Sequence, residues 1–213
     1  MKIYDIYTKW IKLYNDASIN MKHAKSFGDG ILIEIAAQHP LQDGLLPNHE
    51  FKTRLDAGIE LYKFLKQNNN VKIYVPGSKH QENGTIDLIS LSESGLKYLI
   101  NHGIPEQDIF ANDANNEFMP YNGVYNSSDE CFVSCELFKK HNFQELHLIC
   151  SQNQIMRKIL CYIKCGYLPI IHSVYCEKMY HNPIDEIFKN IPKLLKDDMI
   201  FEEQIKSKRR PIE

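Results

Sequence analysis

Arg54 and Arg157 each fall within the first two turns of a segment with helical spacing. A cation there opposes the positive end of the helix dipole. Such a guanidinium makes sense facing an anion, because its planar fork holds a phosphate or carboxylate bidentately. A salt bridge from Arg54 to Glu50 is the structural alternative. Pro76-Gly77-Ser78 follows an apolar strand-like run, where Gly77 permits close backbone approach and Ser78 offers a hydroxyl. Ser92-Glu93 reads either as a helix cap with a first-turn acid or as a ligand contact at a helix start. Asn126-Ser127-Ser128-Asp129 holds more polar groups than capping needs, which points to ligand contacts. Asp129 is a candidate general base, a metal ligand through water, or a plain first-turn acid. Ser151, Gln152, Asn153 and Gln154 follow another apolar run at a helix start.

Six cysteines offer a rival chemistry. Cys131/Cys135 and Cys161/Cys165 are pairs four residues apart, whereas structural zinc sites favour shorter spacing on tight turns. Cys150 ends a strand and is conceivable as a nucleophile, but no histidine stands in a recognisable triad order. The expectation is six reduced thiols without disulfide or metal. There is no HExxH, no GxGxxG and no GxxxxGK[ST], so no metalloprotease helix, dinucleotide fingerprint or P-loop is present and no cofactor is specified.

The elements that must position these residues alternate along the chain. Ile31 to Ala37, Val71 to Val75, Glu145 to Cys150 and a stretch within Tyr167 to Val174 read as strands, near 31–36, 71–75, 145–150 and 168–173. Ile109-Phe110 reads as a short further strand, and Asn112 to Asn126 as polar and irregular. Helical patterns cover Phe51 to Gln67, Ser92 to Asn101, Asp129 to Lys140 and Ile155 to Cys165. This order predicts a single α/β domain, a Rossmann-like parallel sheet with helices on both faces and a core at about 29–175. A helical arm at 1–26, carrying the sole tryptophan, and a helical, charged tail at 180–213 flank it, with helices around Ile184 to Phe188 and Ile191 to Leu195. In such sheets ligands bind at the carboxyl ends of the strands. Arg54, Ser78, Ser92, Ser127 and Arg157 are therefore expected to line one cavity there.

The order of several pieces resembles the ElyC/SanA/YdcF-like family, long catalogued as a domain of unknown function. These pieces are Arg54-Leu55-x-x-Gly58-x-x-Leu61-Tyr62, the Pro-Gly-Ser strand end, Gly103-Ile104-Pro105, Asn126-Ser127-Ser128-Asp129-Glu130, and Ser151 through Arg157. The resemblance spans roughly residues 29–175 and implies a Rossmann-like sheet with a polar pocket for nucleotides, phosphate esters or similar anions. It departs from the family at Ala36-Ala37-Gln38, where relatives carry glycines, and at Gln154, where relatives carry a histidine. Gln38 and Gln154 are carried over as ligand contacts. His39 and His49, in the first loop, become the acid/base candidates in place of that histidine.

Net charge is -2, with 43% hydrophobic and 24% charged residues. That balance gives no polyanion-binding surface, and the basic run 206–210 reads as a solvated tail rather than a nucleic-acid contact. No stretch approaches the ~20 apolar residues of a membrane span. The N-terminus lacks a secretory pattern, so a cytoplasmic protein is expected. The functional expectation is a small-molecule enzyme that binds a phosphorylated or nucleotide-like anion, acting by hydrolysis or group transfer. The alternatives are a non-catalytic sensor or carrier using the same site, and a thiol-dependent enzyme using Cys150. Oligomeric state is left open, a homodimer included.

Overall fold

Residues 31–35 alternate their side chains across the two faces of one strand. Ile31, Ile33 and Ile35 join one apolar cluster, while Leu32 and Ala36 join the other. Both faces are therefore covered, as burial of a parallel strand requires. The computed structural model describes residues 3–21, 28–82, 85–120, 123–177, 179 and 190–196.

The strands are β1 (Ile31–Ile35), β2 (Val71–Tyr74), β3 (Gln81–Glu82), β4 (Thr85–Ile86), β5 (Ile109–Phe110), β6 (Glu145–Ser151) and β7 (Ile170–Val174). The helices are α1 (Ile3–Met21), α2 (His49–Leu65), α3 (Leu91–Asn101), α4 (Asn112–Phe118), α5 (Ser127–Lys140), α6 (Ile155–Lys164) and α7 (Ile191–Lys196). Five strands form one sheet in the order β5-β2-β1-β6-β7, and every neighbouring pair is parallel. β3 and β4 make a separate antiparallel hairpin. This is a Rossmann-like α/β fold, with the strands where the sequence places them.

Helices α2 and α3 cover one face through Phe51, Leu55, Ile59, Leu91 and Leu99. Helices α4, α5 and α6 cover the other through Ala114, Cys131, Val133, Leu137, Cys161 and Tyr162. Gly58 sets the first of these distances. A Cβ there would lie 2.2 Å from Cδ1 of Ile35, so only glycine lets α2 approach β1 this closely. The N-terminal arm packs onto the domain: Ile6, Trp10 and Leu13 meet Leu160, Ile191 and Leu195, and Trp10 Nε1 donates to the Met156 carbonyl at 3.1 Å.

One region departs from expectation. The segment read as irregular contains α4, because Ala114 and Phe118 pack into the core and override the weak helix propensity of its three asparagines. The polar loop after β2 contains the β3–β4 hairpin. The helix expected around Ile184 to Phe188, residues 197–213 with the basic run, and residues 22–27 lie outside the described residues. No helix among the described residues is long and apolar enough to cross a membrane.

Candidate functional site

The strand order reverses between β1 and β6, and in open α/β sheets that crevice is the usual ligand site. Here the protein's own side chains fill it. Arg54 reaches from α2 to the carboxyl edge and is fully buried. Its Nε donates to Ser151 Oγ at 2.8 Å, and its Nη1 donates to the carbonyls of Ala36 and Ala37, each at 2.9 Å. Its Nη2 donates to Gln38 Oε1 at 3.2 Å and to the Glu50 carboxylate. A guanidinium has five N–H donors, and all five are matched. Gln154 closes the cluster by donating from Nε2 to Gln38 Oε1 at 3.0 Å.

Four of the expected residues come together here. Arg54, Gln38, Ser151 and Gln154 are buried and hydrogen-bonded to one another, which ties the ends of β1 and β6 together. Helix α2, which carries Arg54, covers one face of the sheet, and α6, which carries Arg157, covers the other, both starting at the carboxyl edge. Three further candidates sit on α2 and α3. The cap of α3 is Ser90, whose Oγ accepts from Glu93 N at 2.9 Å. Ser92 is buried and donates to the Val75 carbonyl at 2.6 Å. Glu93 pairs with Lys97 on the surface at 2.7 Å, and His49 is exposed at the start of α2. Gly77 is a packing residue: its φ is +106°, and a Cβ there would meet Leu91 Cβ at 2.8 Å. Ser78 stitches two edge loops together, its N–H donating to the Val124 carbonyl at 2.8 Å and its Oγ accepting from Val124 N at 2.7 Å.

A different group gathers at this edge. Asp87 is buried, accepts from Leu41 N at 2.9 Å, and holds His39 Nδ1 at 2.8 Å. The carboxylate thereby orients the imidazole and leaves Nε2 as the nitrogen not bound to Asp87. The His39 ring lies 4.9 Å from that of His80 at 24°, and His80 meets Tyr125 edge-on at 5.3 Å. Tyr125 N donates to Asp129 Oδ2 at 3.0 Å, and Asn126 Nδ2 donates to the same oxygen at 2.7 Å. Asn126 also caps α5, its Oδ1 accepting from the N–H groups of Ser128 and Asp129. A continuous row thus runs from His39 through His80 and Tyr125 to Asp129. Burial pushes the Asp129 carboxyl up to about 6, against the pull of its hydrogen bonds and with the help of Glu130. Ser127 and Arg157 are half-buried, in the first turns of α5 and α6.

Behind Asp129 lies an ionic network that sequence reasoning missed. Lys158 is buried and its Nζ binds Glu34 Oε1 at 2.5 Å and the Glu130 carboxylate. Tyr162 donates its hydroxyl to Glu34, and Tyr74 donates to Asn115 Oδ1 at 2.7 Å. Burial alone lowers an ammonium pKa, but Glu130 and Glu34 outweigh it and hold Lys158 well above its ordinary value. The available signal was Glu34 itself, a charge inside an otherwise apolar strand. Asp87 gave no comparable signal, since it sits in a polar loop far from His39 in sequence.

Cys150 is fully buried, and burial pushes its thiol up to about 11, which disfavours the nucleophilic thiolate. Among the described residues no group of three or more His, Cys, Asp or Glu side chains could hold a metal ion. Compared with family models, curated proteins and solved structures, the chain matches none. The fold is a Rossmann-like α/β one in which Arg54, Gln38, Ser151 and Gln154 fill the usual crevice, and the His39–Asp87 pair lies one loop to the side.

Proposed function

We propose that the chain is a small-molecule enzyme that performs general acid–base chemistry on an anionic, phosphorylated or nucleotide-like substrate, by hydrolysis or group transfer. The observation that carries this reading is His39 held at Nδ1 by the buried Asp87, the arrangement that fixes an imidazole's tautomer and aims its other nitrogen at a reacting group. Asp129, which changes protonation near neutral pH, is the partner able to give or take the second proton. Exposed Lys79 and half-buried Arg157 supply positive charge near this edge, and the aromatic faces of His80 and Tyr125 suit a planar ring. The resemblance to the ElyC/SanA/YdcF-like family supports the same ligand class.

A second reading, binding without turnover, is favoured by Gln154. It stands where the resembling family has histidine, and it is tied to Gln38. The two are separated by assaying the protein against a panel of phosphorylated metabolites and nucleotides. Turnover is expected, with kcat/KM falling by about 10²–10⁴ in His39→Ala. Binding without turnover supports the second reading, and neither binding nor turnover contradicts both.

A further inference from the structure

We propose that Lys158 is a positioning residue for Asp129: through Glu130 it pins to the sheet the first turn of α5, on which Asp129 stands. The inference deepens the acid–base reading above, on which its consequence for catalysis rests. The tie has two arms. Lys158, in the first turn of α6, binds Glu34 Oε1 of β1 at 2.5 Å. It also binds the carboxylate of Glu130, in the first turn of α5. Lys158 and Glu34 are fully buried and Glu130 is nearly so. One side chain thus joins the central strand of the sheet to the starts of two helices.

Stability does not account for this cation. An ammonium near a helix start opposes the dipole. Replacing a buried ion pair or triad as a unit by apolar residues of similar volume is often neutral or stabilising. Two glutamates also outnumber the one lysine, so the cluster does not cancel its own charge. What short, charge-assisted hydrogen bonds do supply is a fixed geometry. Glu130 follows Asp129 in the chain, and neighbouring helix positions project about 100° apart. Holding Glu130 against Lys158 therefore sets the direction of Asp129. That direction brings Asp129 Oδ2 to Tyr125 N at 3.0 Å and to Asn126 Nδ2 at 2.7 Å. Asn126 caps the same turn, so the cap and the carboxylate keep their register only while the turn is held.

The other titratable or charged groups around this turn are Tyr74 from β2, Cys131 on α5, Arg157, Cys161 and Tyr162 from α6, and His80 beside Tyr125. All stay in place in the variants below, so a change at Asp129 reports the tie.

The test compares two substitutions that remove the same charge. Glu130→Gln keeps an oxygen that can accept from Lys158, and Glu130→Ala does not. In both, Lys158 stays paired with Glu34, so no buried cation is left alone. In isotope-labelled protein the Asp129 carboxyl carbon, the Tyr125 amide and the Asn126 side-chain amide are followed through acid and neutral pH. In wild type the three signals are expected to titrate together, with a midpoint near 6. Glu130→Gln should keep them together. In Glu130→Ala the two amides should lose at least about half of their pH-dependent shift, because hydrogen bonds to a displaced carboxylate weaken steeply. Circular dichroism confirms folding. Should Glu130→Ala unfold, Glu34→Gln combined with Lys158→Met cuts the tie from the other side and is expected to give the same loss. The proposal is overturned if Glu130→Gln and the tie-cutting variant behave alike, whether both keep the coupled titration or both lose it. Against the same panel of phosphorylated metabolites and nucleotides, kcat/KM should fall by about 10- to 100-fold in Glu130→Ala and recover in Glu130→Gln. A wild type without turnover contradicts the acid–base reading alone, and the coupled titration still decides the tie.

Discussion

Arg54 uses all five guanidinium donors inside the protein, so its removal is a matter of stability. Arg54→Ala leaves the Glu50 carboxylate buried without its cation and frees the carbonyls of Ala36 and Ala37. The expected loss is about 3–5 kcal/mol, the scale for breaking one side of a buried ion pair, read from the midpoint and slope of urea unfolding. Asp129 gives the opposite sign. Its folded-state pKa of about 6 lies above the ordinary 3.8, so the folded chain holds this proton more tightly than the unfolded one. The stability that this supplies is complete below 3.8 and is lost as pH rises through 6. Asp129→Asn removes the slope, so relative to wild type the variant should gain about 2–3 kcal/mol between pH 4 and pH 7.5. Equal pH dependence in the two proteins would contradict the buried placement of Asp129.

At the scale of elements, most of the sheet and its covering helices were legible in the sequence, and the reasons are local. β1, β2 and β6 are short apolar runs bounded by turn formers, and α2 repeats Leu55, Ile59 and Tyr62 on one face. Helix α4 was hidden because only packing, not propensity, forms it. The site was far less legible. The helix-dipole argument identified Arg54 as unusual, yet it could not tell an external anion from Glu50 and two carbonyls brought in by tertiary contact. His39 was visible as a loop histidine, while Asp87 becomes its partner only through the fold.

The β6–β7 pair adds a titration the sequence did not suggest. His147 Nδ1 and His172 Nε2 lie 2.9 Å apart, and His147 Nε2 lies 3.0 Å from Glu145. Burial, together with His147, holds His172 below 6.5. This stability is therefore present above 6.5 and lost as pH falls below it. His172→Gln should flatten the stability profile between pH 7.5 and pH 5, as followed by thermal unfolding.

At the scale of the molecule, the sheet order sets where chemistry can occur. A parallel sheet gathers every loop that follows a strand at one edge, and the reversal between β1 and β6 opens a crevice there. In this chain Arg54, Gln38, Ser151 and Gln154 close that crevice, and the exposed polar and aromatic groups move to the side of β2. The central claim is that an anionic ligand meets the row from His39 to Asp129 and not the sealed crevice. It is tested most directly by titrating ¹⁵N-labelled protein with a nucleoside monophosphate and following amide and imidazole resonances. Saturable shifts at His39, His80, Tyr125 and Ser127 are the predicted result. Shifts confined to Gln38, Ser151 and Gln154, or no shifts at all, would contradict the account.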